Sequence, residues 1–145
     1  ALGAEDFTAD LKTTRSADGI ELLTARSMIV MAARSAGIDA LDTVFSDVND
    51  TEGFIKEAKL IKQLGFDGKS VINPSQIKPL HAVFTPTKDE IEKSLAIVEA
   101  MEEARKRGSG VVSMNGKMID KPVLDRALHL LELAGATNAL RSAMQ

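Results

Sequence analysis

Apolar residues are dense along positions 19–36, where Ile20, Leu22, Leu23, Met28, Ile29 and Met31 stand among alanines. Their spread around the helical circle predicts a helix buried over much of its surface. Gly37 supplies its C-terminal stop. Residues 39–45 (DALDTVF) then read as a short apolar strand and the polar residues 46–50 as a loop. From Thr51 the pattern narrows to one stripe of Phe54, Ile55, Ala58, Ile61 and Leu64, which predicts an amphipathic helix ended by Gly65. Residues 69–72 predict a second brief strand closed by Asn73-Pro74, and residues 75–83 a short helical turn.

Thr87 and Glu90 have the Thr-x-x-Glu spacing of a capping box, in which each side chain satisfies the other residue's backbone N–H. They open a helix that runs to Arg107 and stops at Gly108. Residues 111–114 read as extended, and Asn115-Gly116 is a hairpin signal because both central positions of a type I′ turn need positive φ. Pro122 suits the first turn of a last helix, which the pattern ends near Gly135, with the tail 136–145 free to fray or to continue helical. The opening residues read as the end of a strand running into a loop.

Short strands alternating with helices predict α/β architecture with a parallel sheet. A whole (β/α)8 TIM barrel takes about 250 residues, and this chain has 145. The expectation is therefore the last βα units of a TIM barrel over residues 1–107. Residues 108–145 would form a C-terminal extension made of a hairpin-like turn and a helix. The opening on Ala1 and a strand end reads as a piece of a longer protein.

Composition narrows the chemistry. A net charge of -3 speaks against a nucleic-acid partner, which calls for a basic face. No apolar run approaches a membrane span, so no membrane association is expected. With no cysteine and only His81 and His129, thiolate sites and histidine triads are poorly supplied. The absence of cysteine fits a reducing cytoplasm. Hard-cation chemistry through carboxylates stays open, with 21 acidic residues available.

Three segments carry candidate sites, and each has a structural reading beside the chemical one. Glu5 and Asp6, shortly after Gly3, suit a Mg²⁺ site at a strand end, though spacing alone favours a helix start where acids complement the dipole. Asn73, Pro74 and Gln76 follow a strand and could hydrogen-bond a substrate or an amide-bearing carrier, or simply break the strand. Asp120 precedes the proline-initiated helix, where a carboxylate stabilises the helix electrostatically whether or not it touches substrate. His81 and His129 read as ordinary helix-face residues, and the charge run 102–107 as a solvated helix end.

Taken together, residues 2–11 (LGAEDFTADL), 65–77 (GFDGKSVINPSQI) and 110–125 (GVVSMNGKMIDKPVLD) resemble the citrate lyase beta-subunit family. That family is a branch of the HpcH/HpaI aldolase superfamily. The pattern Ala32 to Gly37 followed by Asp42-Thr43-Val44 agrees, in the right order and spacing. The resemblance covers nearly the whole chain and matches the C-terminal half of the family.

The resemblance implies a (β/α)8 barrel and Mg²⁺-dependent cleavage of a citryl thioester to oxaloacetate and an acetyl thioester. It implies two metal-holding acids. One is a glutamate on an earlier strand, outside this sequence; the other is the aspartate of the G-x-E-D motif, Asp6 here with Glu5 beside it. A substrate-holding arginine also lies outside it, so this segment is expected to be inactive by itself. Asp120, in G-K-M-x-D, is similar to an acid that relatives place in a neighbouring subunit's active site, which implies a homo-oligomer.

Many acyl-CoA lyase relatives carry histidine where this chain has Asn73. Asparagine there points to a citryl group borne on the CoA-like prosthetic group of an acyl carrier protein. The implied partners are the alpha subunit and the acyl carrier (gamma) subunit of citrate lyase. Two alternatives stand beside this. One is a lyase acting on free malyl-, citramalyl- or citryl-CoA; the other is a non-catalytic fragment serving as an oligomerisation or binding module.

Overall fold

The computed structural model describes residues 1–143, with side chains described through Gly135. It divides into two compact units, Ala1–Phe84 and Thr85–Gln145.

The first unit opens with helix α1 (Ala4–Asp10). The opening residues were expected to form a strand end and loop; instead Glu5 and Asp6 occupy the first turn of this helix. The Ala4 N–H donates to Thr43 Oγ1 at 3.3 Å, and the Thr8 hydroxyl donates back to the Ala4 carbonyl at 2.8 Å. Negative charge is favoured at that end of a helix, so the acids and the local structure agree.

After a loop, a 3-10 turn at Ile20–Leu22 leads into α2 (Leu23–Ala36). The expectation that this helix is buried over much of its surface is corrected. Ile20, Leu23, Met28 and Met31 are exposed, and the buried face is Leu22, Arg26, Val30 and Ala33. Those four follow a single helical stripe, so the breadth of apolar residues did not reflect packing within this unit. Gly37, at φ +66°, ends α2 in the left-handed conformation, with Ile38 N–H bonded to the Ala33 carbonyl at 3.0 Å.

Strand β1 (Leu41–Asp42), helix α3 (Thr51–Leu64) and strand β2 (Gly68–Lys69) form a βαβ unit with parallel strands. The register pairs Leu41 with Gly68 and Asp42 with Lys69. Both strands are shorter than the apolar runs that predicted them. Apolar sequence proposes a strand, but a ladder partner is needed to make one. Asp50 caps α3 by accepting from Gly53 N at 2.8 Å. The apolar core is Val30, Ala33, Ala40, Ile61 and Phe66, flanked by Ile29, Leu64 and Phe84. Past β2, a 3-10 turn at Pro74–Gln76 runs into α4 (Ile77–Phe84).

The second unit holds α5 (Lys88–Lys106), strands β3 (Val112–Met114) and β4 (Lys117–Ile119), and α6 (Lys121–Ala143). Thr87 and Glu90 form both halves of the capping box. The antiparallel hairpin turns on Asn115 (φ 52°) and Gly116 (φ 74°), as a type I′ turn requires. Met101, Ile119 and Leu124 make the core, with Ile97, Val98, Val112, Met114 and Val123 around them. Of the two expectations for the tail past Gly135, the helical one holds: α6 continues to Ala143. A glycine ends a helix by turning left-handed, and Gly135 is not among the glycines with positive φ.

Candidate functional site at the carboxyl ends of the strands

In the first unit the polar side chains gather where β1 and β2 end. The bond from Ala4 N to Thr43 Oγ1 seats the start of α1 against the residue that follows β1. Glu5 and Asp6 are therefore presented at that end. Glu5 is exposed and pairs with Arg15 (Oε1 to Nη1, 3.2 Å). Asp6 is also exposed, and among the described residues it enters no ion pair.

Residues 73–76 form the wall after β2. The Asn73 side chain caps the 3-10 turn by accepting from Ser75 N at 2.9 Å, and Pro74 holds its first position. Gln76 is buried. Its Oε1 accepts from Ile72 N at 3.1 Å and its Nε2 donates to the Phe45 carbonyl at 3.0 Å. One amide thus clamps the loops after both strands. Asp47, Asp50, Phe54, Ser75, Gln76 and Pro79 line a shallow open recess beside it.

Beneath these loops lies a charge cluster that the sequence reading did not single out. Asp42 is fully buried and accepts from Arg26 Nε, Arg26 Nη2 and Lys69 Nζ, each at 2.9 Å. Lys69 Nζ also donates to the Thr43 carbonyl at 2.7 Å and pairs with Glu57 Oε1. Glu57 Oε2 meets Arg26 Nη2 at 3.1 Å and Arg15 Nη2 at 3.2 Å. Burial works against the charge of Arg26, but the bonds and fields of Asp42 and Glu57 outweigh it and raise its pKa above the ordinary guanidinium value. The sequence did carry a signal. Arg26 stands four residues from both Leu22 and Val30, on the buried stripe, and Glu57 lies beside Phe54, Ala58 and Ile61 on α3.

Asp120 belongs to the other compact unit. It is half-buried at the start of α6, where its Oδ1 accepts from Val123 N at 3.3 Å. His81 and His129 are exposed on α4 and α6.

The carboxylates of Glu5 and Asp6 are hard oxygen donors. Among the described residues no group of three acids or histidines converges. Magnesium binds through one or two carboxylates and keeps waters for the rest, so this donor set fits part of such a site.

The fold and site define an α/β protein that gathers its polar residues at the carboxyl ends of parallel strands, where such folds commonly carry their chemistry. The chain belongs to the HpcH/HpaI aldolase/citrate lyase family, whose sequence profile matches residues 1–74. It is 61% identical over 134 residues to citrate lyase subunit beta of Haemophilus influenzae, covering 92% of this chain and 46% of that protein. It is 54% identical over 142 residues to citrate lyase subunit beta of Leuconostoc mesenteroides subsp. cremoris, covering 98% of this chain and 47% of that one. The chain thus spans just under half the length of these curated relatives. Among solved structures it is similar to CitE from Mycobacterium tuberculosis, solved with magnesium, acetoacetate and coenzyme A. That likeness has a TM-score of 0.79 at 34% identity and covers 91% of this chain and 50% of that one.

Proposed function

We propose that this chain is part of a carbon–carbon lyase that cleaves a citryl thioester on an acyl carrier protein to oxaloacetate and an acetyl thioester. The observation that carries the reading is its identity, above half over nearly its full length, to two citrate lyase beta subunits. In this reading residues 1–107 supply the last βα units of a TIM barrel and residues 108–145 an extension. The cleavage is Mg²⁺-dependent and cytoplasmic, in a homo-oligomer that works with the alpha subunit and the carrier (gamma) subunit.

Asp6 would contribute this segment's metal ligand, while Glu5, the other candidate beside it, is engaged by Arg15. The ion, when bound, supplies Lewis-acid polarisation of the oxygen at the carbon–carbon bond that breaks. The chain's own residues supply the frame. Gln76 fixes the two strand-end loops, Asn73 and Pro74 shape the turn that borders the carrier arm, and Asp120 handles a proton of the departing thioester fragment. The extension, by presenting Asp120 to a neighbouring subunit, would also exclude water from that fragment.

A second reading has its own support: the M. tuberculosis relative was solved with coenzyme A, so a free CoA thioester is the competing substrate. The test is complementation. This chain would be co-produced with the part of the H. influenzae beta subunit that it does not match, and oxaloacetate release measured with Mg²⁺. We expect release from citryl-carrier protein by the pair and none by the chain alone. Release from citryl-CoA only would favour the second substrate. No release from a stably assembled pair would leave the chain as a binding module.

A further inference from the structure

We infer that Arg15 determines which carboxylate of the Glu5-Asp6 pair can serve a metal, by committing Glu5 to the buried charge cluster. The inference rests on the functional reading above. Its basis is a count of charge. The cluster holds three cations, Arg15, Arg26 and Lys69, and two enclosed carboxylates, Asp42 and Glu57. Glu5 is the third carboxylate and brings the cluster to neutrality through Arg15.

Arg15 is not free to follow Glu5 elsewhere. Its Nη1 donates to the Val44 carbonyl at 3.0 Å as well as to Glu5, and its Nη2 is held by Glu57. Its side chain is only 16% exposed, while that of Glu5 is 63% exposed. The guanidinium is thus anchored from below and reaches up to one acid. Withdrawing Glu5 to a divalent ion would leave a positive charge uncompensated over an already crowded set of cations. Asp6 bears no such obligation. Arg15 is therefore a specificity-determining residue: it limits this segment to one metal carboxylate, and so leaves the ion's other positions to water, substrate and other ligands.

The 145-residue chain itself can be tested with manganese(II) chloride as a paramagnetic probe. Broadening of the amide signals of residues 3–7 reads occupancy at the start of α1. In Arg15→Met, Glu5 is released to act beside Asp6, and the Mn²⁺ concentration for half-broadening should fall roughly three- to tenfold, the scale of one unscreened charge near a divalent ion. Adding Glu5→Gln to that variant should cancel the gain. Glu5→Gln alone should leave the midpoint within about twofold of the parent, as expected for a carboxylate already neutralised.

An unchanged or raised midpoint in folded Arg15→Met would overturn the inference. So would a large loss of binding in Glu5→Gln, a surface variant that remains informative if Arg15→Met does not fold. Asp6→Asn separates the two levels: if it leaves broadening at residues 3–7 intact, the metal reading itself fails. If it abolishes broadening while Arg15→Met changes nothing, only the role of Arg15 fails.

Discussion

Asp42 and Lys69 are register partners across the parallel strand pair, and their side chains meet at 2.9 Å with neither exposed to solvent. Each strand therefore contributes one charge to the layer between strands and helices, where a βαβ unit ordinarily packs aliphatic side chains. Removing one partner strands the other. Lys69→Met should lower unfolding free energy by about 3–5 kcal/mol, because Asp42 and Glu57 would each lose a buried ammonium partner and Asp42 would keep Arg26 alone. Urea titration followed by circular dichroism measures it, and a loss below about 1 kcal/mol, the scale of an exposed pair, would contradict the enclosed cluster.

In the assembled enzyme, Asp6→Asn should cut activity by about a hundredfold or more, at or beyond the upper end of what outer-shell metal partners cost. Glu5→Gln should cost far less, since its carboxylate is already engaged by Arg15. Steady-state rates over a Mg²⁺ titration decide the order; the reverse order would assign the ligand to Glu5.

Asp120→Asn keeps a side chain able to cap α6 but removes the charge. Folding and Mg²⁺ affinity should hold, while kcat falls roughly 10²–10⁴-fold if the acid moves a proton. Mixing this variant with Asp6→Asn should restore part of the activity if Asp120 acts across a subunit boundary. No recovery after verified subunit exchange would confine Asp120 to its cap.

The turn before α2 should loosen in acid. The Ser16 hydroxyl, which shares its one proton between Asp18 and Glu21, holds Asp18 below its ordinary pKa. Slight burial pushes Glu21 up, but hydrogen bonds from the Ser16 side chain and backbone outweigh it and leave its pKa lowered. A depressed carboxyl favours the folded turn above its unfolded pKa, and that preference is lost as pH falls through the folded value. The amide shifts of Ser16 and Gly19 should thus titrate below the usual carboxylate range. Ser16→Ala should move both carboxyl titrations upward; unmoved titrations would remove the serine from the explanation.

Local chemistry was legible in the sequence wherever one residue decides the outcome. Gly37 and Gly65 end their helices, Thr87 and Glu90 build their box, and Asn115-Gly116 turns the hairpin. Other outcomes depended on distant partners. The apolar breadth of α2 said nothing of which stripe would be covered, and strand length awaited a ladder. Motif resemblance led to Glu5, Asp6, Asn73 and Gln76, yet Glu5, Asn73 and Gln76 also do plain structural work as cluster partner, cap and clamp. Arg15 and Lys69 escaped notice because pairing with Glu57 over 42 and 12 residues of sequence leaves no local periodicity.

The ionic layer also bears on how the protein responds to temperature. Hydration of charged groups grows less favourable on heating, so the cost of enclosing Arg26, Asp42 and Lys69 shrinks as the protein warms. Exposing polar surface on unfolding lowers the heat-capacity increment that apolar exposure raises. An ionic layer in place of an aliphatic one therefore flattens the stability curve of the first unit. Its resistance to unfolding should decline more gently on both the cold and the hot side than its small apolar core would by itself allow.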